Sequence, residues 1–344
     1  MRFAFGKSAA AGMTLAAMFA APAFAKDCDR ACLENWAETY LDALVDNDPA
    51  AAMLADDVRF TANGQRLAIG DGVWRTVQAK GDYRLVVADV PAQQVAFMTT
   101  FIEDGPTPDG VGNAMAVRLK IEDGRIAEIE QRELREPEAY DRYVTMGQPR
   151  PALTEAVPAD ERMSRRDLIE GANLYFAGIQ QNDGKGDYSF LDNCWRNTNG
   201  RFSTRRPGSM DDGTPDPGLE AGTAGEATCQ SQFESGMLHF VSRIRDRRFV
   251  AVDEERGLVF VMAFFDHFAG DTRTFDLPDG TEVTMGPTEP WTWSIAEIFK
   301  VEQDGIHEVE AYELRRPYGM ISGWTSWDDA MSDHIQNATG VPLD

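Results

Sequence analysis

"KIEDGRIAEIEQRELREP" (Lys120–Pro137) and "KVEQDGIHEVEAYELRRP" (Lys300–Pro317) carry one pattern twice in the same chain, and nine of their eighteen aligned positions are identical. In each stretch, apolar residues alternate with charged ones on both sides of a short turn that contains glycine. Alternation with a period of two is typical of β-strands, and a short turn favours antiparallel neighbours. The pair therefore predicts an internal duplication, with strands near the end of each copy.

The duplication extends toward the start of each copy. "AETYLDALVDND" (Ala37–Asp48) aligns with "ANLYFAGIQQND" (Ala172–Asp183), and both space their apolar residues as one face of a helix. This spacing predicts that Tyr40 and Tyr175 are buried at equivalent helical positions. The next stretches, "LADDVRFTANG" and "FLDNCWRNTNG", predict a strand that closes in a tight Asn-Gly hairpin.

The remaining segments of both copies read as strands separated by Gly, Pro and Asp. A helix followed by an antiparallel meander predicts an α+β fold, with helices covering one face of a curved sheet. The order of elements resembles the SnoaL-like family, which is related to nuclear transport factor 2 and ketosteroid isomerase. This resemblance implies two tandem cone-like domains, each holding a small apolar molecule at its mouth. We expect the following organisation: first domain 26–145, linker 146–164, second domain 165–325, insertion 203–228 and C-terminal tail 326–344.

The first residues, 1–25, have a basic start, an apolar middle and a small-residue end, which predicts a secretory signal peptide. No later segment is long and apolar enough to predict a membrane anchor. A net charge of −24 and a pI near 4.5 would repel nucleic acid and anionic membranes, so neither is an expected partner. The sequence therefore predicts a periplasmic or secreted protein whose two domains pair with each other.

Four cysteines in an exported chain favour disulfides. Cys28 and Cys32 are one helical turn apart, and Cys194 and Cys229 flank a loop rich in Gly, Pro and Asp, so these are the pairs we expect. Four cysteines allow three connectivities, and the spacing alone does not choose among them. The chain has neither a CxxC nor an HxxxH spacing, so a zinc site is not predicted.

Strand alternation locates candidate site residues in the second copy. Counting along the strand places Glu297 on an apolar face, at the position where the first copy has Val117. A buried carboxyl has a raised pKa that suits proton transfer, although a salt bridge or a position near the rim is an equally open interpretation. Histidines occur only in the second copy and its tail, and His267 ends an apolar row. The candidate catalytic residues are Glu297, His267 and Tyr175, and the candidate pocket residues are Phe265, Phe299, Trp293, Trp195, His307 and Glu313.

Two functions fit these residues. The first is a cofactor-free, metal-free lyase or isomerase, similar to a dehydratase, that acts by general acid–base chemistry on a small, partly apolar carbonyl or hydroxyl compound. In it, Glu297 or His267 transfers the proton and Tyr175 stabilises the oxyanion. The second is a periplasmic binding or interaction module without chemistry. A metal-dependent site built from His267, Glu297 and His307 follows no recognised spacing.

Overall fold

The computed structural model describes residues 27–186, 188–204, 228–276, 280, 282–303 and 305–343. The predicted signal peptide (1–25) and nearly all of the predicted insertion (203–228) lie outside the described residues. Within the described ranges, no helix is long and apolar enough to cross a membrane.

The first copy forms one helix and a six-stranded sheet. The helix begins where the Asp29 side chain accepts a hydrogen bond from the Cys32 N–H. The sheet has the order β2-β1-β6-β5-β4-β3, and two short helices follow it. The elements are α1 (Arg30–Val45), β1 (Leu54–Ala62), β2 (Gln65–Arg66), β3 (Val77–Asp89), β4 (Gln94–Glu103), β5 (Val111–Glu122), β6 (Arg125–Leu134), α2 (Pro137–Met146) and α3 (Pro151–Thr154).

The second copy repeats this plan with additions. Its seven-stranded sheet has the order β15-β9-β10-β13-β14-β7-β8, so the tail supplies an edge strand, and β11 and β12 form a separate hairpin. The elements are α4 (Arg165–Gln180), β7 (Phe190–Thr198), β8 (Arg201–Phe202), α5 (Cys229–Glu234), β9 (Arg243–Asp253), β10 (Leu258–His267), β11 (Arg273–Asp276), β12 (Glu282–Met285), β13 (Trp291–Glu302), β14 (Gly305–Arg316), α6 (Trp327–Ala330) and β15 (Ile335–Asn337).

Both predicted Asn-Gly hairpins are present. Asn63-Gly64 joins β1 to β2 and Asn199-Gly200 joins β7 to β8. All four residues have positive φ, between 50° and 75°, which two-residue hairpin turns require and which Asn and Gly adopt most readily.

The expectation of a wholly antiparallel sheet is wrong at one pairing in the first copy and two in the second. β1 pairs with β6, β7 with β14, and β15 of the tail with β9, in parallel. The remaining pairs, β3 to β6 and their counterparts, are antiparallel neighbours as predicted. The connection from β1 to β6 passes through the rest of the sheet, so no local turn signal records the direction in which these strands meet.

The two sheets pack against each other through one face, and each sheet's other face is covered by α1 or α4. The shared core between the sheets includes Tyr83 and Met98 from the first copy and Phe260 and Tyr312 from the second, all buried. The described chain is therefore layered as helix, sheet, sheet, helix. This arrangement is the mixed α+β fold with two large sheets that the sequence predicts.

The tail and the cysteines add further links. Trp324, in the segment after β14, donates its indole N–H to the Thr61 hydroxyl of the first copy at 2.8 Å. The guanidinium of Arg59 stacks on the same ring. Both expected disulfides, Cys28–Cys32 and Cys194–Cys229, are present, so that choice of connectivity is confirmed.

Candidate functional site in the second domain

A cavity of about 260 Å³ lies between α4, α5 and the helix-covered face of the second sheet. Its floor comes from β7, β10, β13 and β14, and its other walls come from α4, the loop after β8 and the segment after α5. Apolar side chains dominate one side and polar groups the other. The lining residues are Tyr175, Ile179, Arg196, Thr198, Arg201, Phe202, Ser203, Gln232, Met237, Leu238, Val241, Phe265, Trp293 and Glu313.

Arg196 on β7 organises the polar side. Its Nη1 donates to the Gln232 amide oxygen at 2.5 Å, and its Nη2 donates to the Tyr175 hydroxyl at 2.9 Å. Tyr175 comes from α4, where helical spacing directs it onto the sheet, and Gln232 comes from α5. The Cys194–Cys229 disulfide ties α5 to β7 two residues from Arg196. Three elements thus converge on one guanidinium that is only 7% exposed.

Glu297 lies directly behind Tyr175. The β13 carboxyl is 1% exposed, faces the same side of the sheet as Arg196, and lies close enough to the Tyr175 hydroxyl for that hydroxyl to lower its pKa. Burial raises the pKa of Glu297 to about 8, and the neighbouring Glu313 carboxyl raises it further. Within the described residues, its Oε2 atom has no hydrogen-bond partner. The sequence-based expectation of a buried carboxyl on an apolar face agrees with this geometry.

Glu313 on β14 contributes the carboxyl that borders the cavity itself. Burial raises its pKa to about 7, partly offset by the positive charge of Arg196 and reinforced by the negative charge of Glu136. Its strand partner is Ile295, two residues from Glu297, so the two carboxyls are diagonal neighbours on one face. The site therefore holds two carboxyls that take up and release protons near neutral pH.

The first copy lacks this constellation at equivalent positions. Phe60 is the counterpart of Arg196, because Phe60 pairs with Ile129 on β6 and Arg196 pairs with Val309 at the matching place on β14. Val117 is likewise the counterpart of Glu297, since their strand partners are Gln131 and Ala311. Both charged residues thus have apolar counterparts, so the second copy differs from the first by a pair of changes on one face.

The residues of the first copy that correspond to Tyr175 and Glu313 are paired internally. The Tyr40 hydroxyl donates to the Gln131 amide oxygen at 2.7 Å, and Glu133 forms an ion pair with Arg135 at 2.5 Å. Glu313 differs, because Arg315 pairs with Glu289 instead.

His267 is separate from this cluster. It is fully buried at the end of β10, where its strand partner on β13 is Trp291. Glu297 lies six residues further along β13, so at 3.3 Å per residue it is about 20 Å along the strand from the position of His267. Its ring stacks on Trp291 with centroids 3.7 Å apart and meets Trp293 edge to face. Burial lowers the pKa of His267 to about 4. His267, a candidate catalytic residue, does not line the cavity, because aromatic rings enclose its imidazole.

The expected pocket residues divide into three groups. Phe265, Trp293 and Glu313 line the cavity. Phe299 packs behind it, 5.1 Å from the Tyr175 ring, as part of the core. Trp195 and His307 were expected in the pocket, but neither lines the cavity. Strand alternation turns the Trp195 side chain to the face opposite Arg196, where it lies beneath the guanidinium of Arg150. His307 lies near the turn before β14, 3.0 Å from the Asn193 amide and beside Glu302.

Among the cavity residues that the sequence interpretation missed, Arg196 and Gln232 contribute to the polar side. Arg196 was detectable, since aligning "VRFTANG" with "CWRNTNG" on Asn-Gly places it against Phe60. Gln232 lies in α5, where the first copy has only a 3-10 turn (Gly72–Arg75), so the repeat gives no aligned residue to compare with it. In the described parts of the chain, no three His, Cys, Asp or Glu residues are grouped so that they could hold a metal ion.

Comparison with solved structures gives a match to AclR, a proposed hydroxylase from Streptomyces galilaeus. The identity is 16%, the match covers 43% of this chain and 99% of that one, and the TM-score of 0.26 is too low to carry an argument. No curated protein matches this chain. The sequence family described as a domain of unknown function, DUF8021, matches residues 26–132 and 161–312, one region in each copy. Because these regions span most of its length, the chain belongs to the DUF8021 family.

Proposed function

We propose that the second copy is an exported, cofactor-free lyase or isomerase that acts by general acid–base chemistry on a small carbonyl or hydroxyl compound. In this proposal both copies are SnoaL-like domains, at 26–145 and 165–325, and the first serves as a non-catalytic partner. The observation that carries the proposal is the cluster of Tyr175, Arg196, Glu297 and Glu313 at a sheltered cavity. Buried carboxyls with pKa values near working pH are typical of acid–base sites.

The positions of the four groups suggest their roles. Glu313, which borders the cavity, takes the proton next to the substrate carbonyl. Tyr175 and Arg196 stabilise the charge that develops on the carbonyl oxygen, because both place hydrogen-bond donors at the same wall. In a dehydratase, Glu297, which is held protonated behind Tyr175, is the source of the proton with which the departing hydroxyl leaves as water. In an isomerase, the proton that Glu313 removes returns to a different carbon.

Proton abstraction can be tested without knowing the natural substrate. The wild-type protein is incubated in D₂O with a panel of small ketones and β-hydroxycarbonyl compounds, and NMR follows deuterium uptake next to the carbonyl and loss of water. We expect Glu313→Gln and Tyr175→Phe to lower the rate by about 10²- to 10⁴-fold, the usual range for acid–base groups. Tyr40→Phe, the matched change in the first copy, is the control. Equal rates in all variants would exclude the proposal.

A non-catalytic binding module is the second candidate, favoured by the apolar side of the cavity, where Phe265, Trp293 and Val241 meet. It predicts a ligand that is recovered intact from the purified protein and no deuterium exchange. Native mass spectrometry of protein purified from its own compartment distinguishes the two candidates.

A further inference from the structure

The guanidinium of Arg196 is buried and forms no salt bridge with a described carboxylate. Both of its described hydrogen bonds go to neutral acceptors, the Gln232 amide oxygen and the Tyr175 hydroxyl, and its Nε has no partner among the described residues. Within the same residues, no carboxylate lies within the 4.0 Å of a salt bridge to it. Buried arginines are rarely left without a counter-charge, because removing the cation from water is costly.

Two other buried arginines are bonded to carboxylates: Arg248 at both Nη atoms to Glu130, and Arg245 to Asp266. Arg247 is also buried, and its hydrogen bonds within the described residues go to neutral acceptors. Arg196 differs from all three by its place on the wall of a cavity. The missing anion therefore has a space to occupy.

The other cavity walls restrict the size and polarity of the molecule that bears this anionic group. The side facing Arg196 is built from Leu238, Val241, Phe265 and Trp293, which suit an apolar body. A volume of about 260 Å³ is below the roughly 300–1,000 Å³ of pockets for drug-sized ligands. A single ring or a short branched chain is the size that fits.

We infer that the ligand of this cavity is a small apolar carboxylic acid, whose carboxylate binds Arg196 while its apolar body lies against Phe265 and Trp293. The inference rests on the proposed function for the choice of cavity and adds the chemical class of the substrate. For this class Arg196 holds the carboxylate, and Tyr175 is the group that stabilises the charge on the carbonyl oxygen. A planar carboxylate accepts two parallel hydrogen bonds from a guanidinium, which fixes the orientation of the rest of the molecule.

The charged groups around Arg196 make this binding depend on pH. The groups that face it are Glu313 from β14, Glu297 from β13, Tyr175 from α4 and Arg201 from β8, with Glu136 beyond Glu313. An anionic ligand beside Glu313 favours the protonated form of that carboxyl. Ligand binding is therefore accompanied by proton uptake and weakens as the pH rises from 6 to 8.5.

The test compares 3-phenylpropanoate with 3-phenylpropanamide, which has the same shape but no charge, by isothermal titration calorimetry on the full chain. We expect the carboxylate to bind about 10- to 100-fold more tightly, the range of a buried charge-assisted pair. Repeating the titration from pH 6 to 8.5 is expected to show falling affinity. Equal binding of the two compounds, binding of neither, or affinity that rises with pH would overturn the inference.

Two variants locate the site. Arg196→Gln is expected to abolish the preference for the carboxylate, and Leu238→Trp, which fills the cavity without removing Arg196, is expected to abolish binding of both compounds. Circular dichroism confirms folding, and Leu238→Trp still decides the outcome if Arg196→Gln does not fold. A carboxylate preference that persists in either variant overturns the inference. Deuterium exchange is scored separately, so exchange without carboxylate binding rejects this inference alone, and binding without exchange rejects the proposed chemistry alone.

Discussion

Arg248 on β9 and Glu130 on β6 form a two-pronged ion pair inside the contact between the two sheets, with Nη1–Oε2 and Nη2–Oε1 distances of 2.8 and 2.5 Å. Both side chains are about 3% exposed. Burial alone would raise the pKa of Glu130, but the charge and hydrogen bonds of Arg248 outweigh it and hold that pKa below its usual value. Other buried polar contacts also cross between the copies, such as Tyr83 with Glu310 and Arg165 with Asp89, so the two copies are joined by charged as well as apolar contacts.

Breaking this pair from one side should be costly. Glu130→Gln removes the carboxylate that binds both Nη atoms of Arg248 and leaves only Asp246, 3.5 Å from its Nε, as a charged partner. We expect the free energy of unfolding to fall by about 3–5 kcal/mol. Urea denaturation followed by fluorescence measures the loss. Lys80→Met, which removes an ion pair with Glu38 at the surface, is the control and should cost less than about 1 kcal/mol. Similar losses in both variants would contradict this account of the interface.

Glu297 should make the second domain less stable as pH rises. The carboxyl has a pKa of about 8 in the folded chain and near 4.5 when unfolded, so between these values the folded state holds more protons and stability falls with increasing pH. Glu297→Gln removes this contribution. Relative to wild type, we expect the variant to gain up to about 1.4 kcal/mol per pH unit between pH 5 and 8. Thermal midpoints across this range measure the slope. The exposed Glu282→Gln should follow the wild type, and parallel curves for Glu297→Gln would place the carboxyl in water.

His267 should have the opposite pH dependence. With a pKa near 4 in its aromatic enclosure and near 6.5 in the unfolded chain, it stays neutral at physiological pH and lowers stability only as the pH falls below about 6.5. A ¹H–¹³C NMR titration of the ring is expected to show no change between pH 5.5 and 8. The exposed His334 serves as an internal control. A midpoint near 6.5 for His267 would show that its ring is open to water.

Replacing Arg196 and Glu297 by Phe and Val, the residues at the equivalent positions of the first copy, should abolish activity while the two changes partly compensate each other in stability. Arg196→Phe alone removes the charge that offsets Glu297 and Glu313, and Glu297→Val alone removes one of the two carboxyls that face Arg196. We expect the double variant to be more stable than the sum of the two single changes predicts, by about 0.5–3 kcal/mol, and to be inactive. A double-mutant cycle in urea measures the coupling. Additive losses would show that the two residues do not interact.

The Cys194–Cys229 bond should contribute more stability than the Cys28–Cys32 bond. It spans 35 positions of sequence against 4, and a longer closed loop loses more entropy in the unfolded chain. Replacing both Cys194 and Cys229 by Ser is expected to cost about 2–4 kcal/mol and to weaken ligand binding, because α5 then holds Gln232 less firmly. Replacing Cys28 and Cys32 is the matched control, measured by the same melting curves. Equal losses would mean that loop length does not govern the effect.

Sequence reasoning succeeded where the signal is local. The helix that buries Tyr175, the turn at Asn199-Gly200 and the inward face of Glu297 each follow from spacing within a few residues, and the structure has all three. It failed for contacts between distant segments. The distance between His267 and Glu297 depends on the register of β10 against β13, which neither strand records alone.

Arg196 lies between these cases. The repeat aligns it with Phe60, so its substitution is visible in the sequence, but its burial depends on α4 and α5 folding over it. A single charged residue in a strand is more often solvated than buried. Only the meeting of Tyr175, Gln232 and Glu297 around the guanidinium identifies it as a site residue.

The parallel pairing of β7 with β14 joins residues more than one hundred positions apart, such as Arg196 and Val309. During synthesis, β7 emerges long before its partner, and its backbone N–H and C=O groups remain without that strand until β14 follows. Closure of the sheet is therefore a late, non-local step, of the kind that slows folding. The second sheet therefore stays incomplete until β14 has been made.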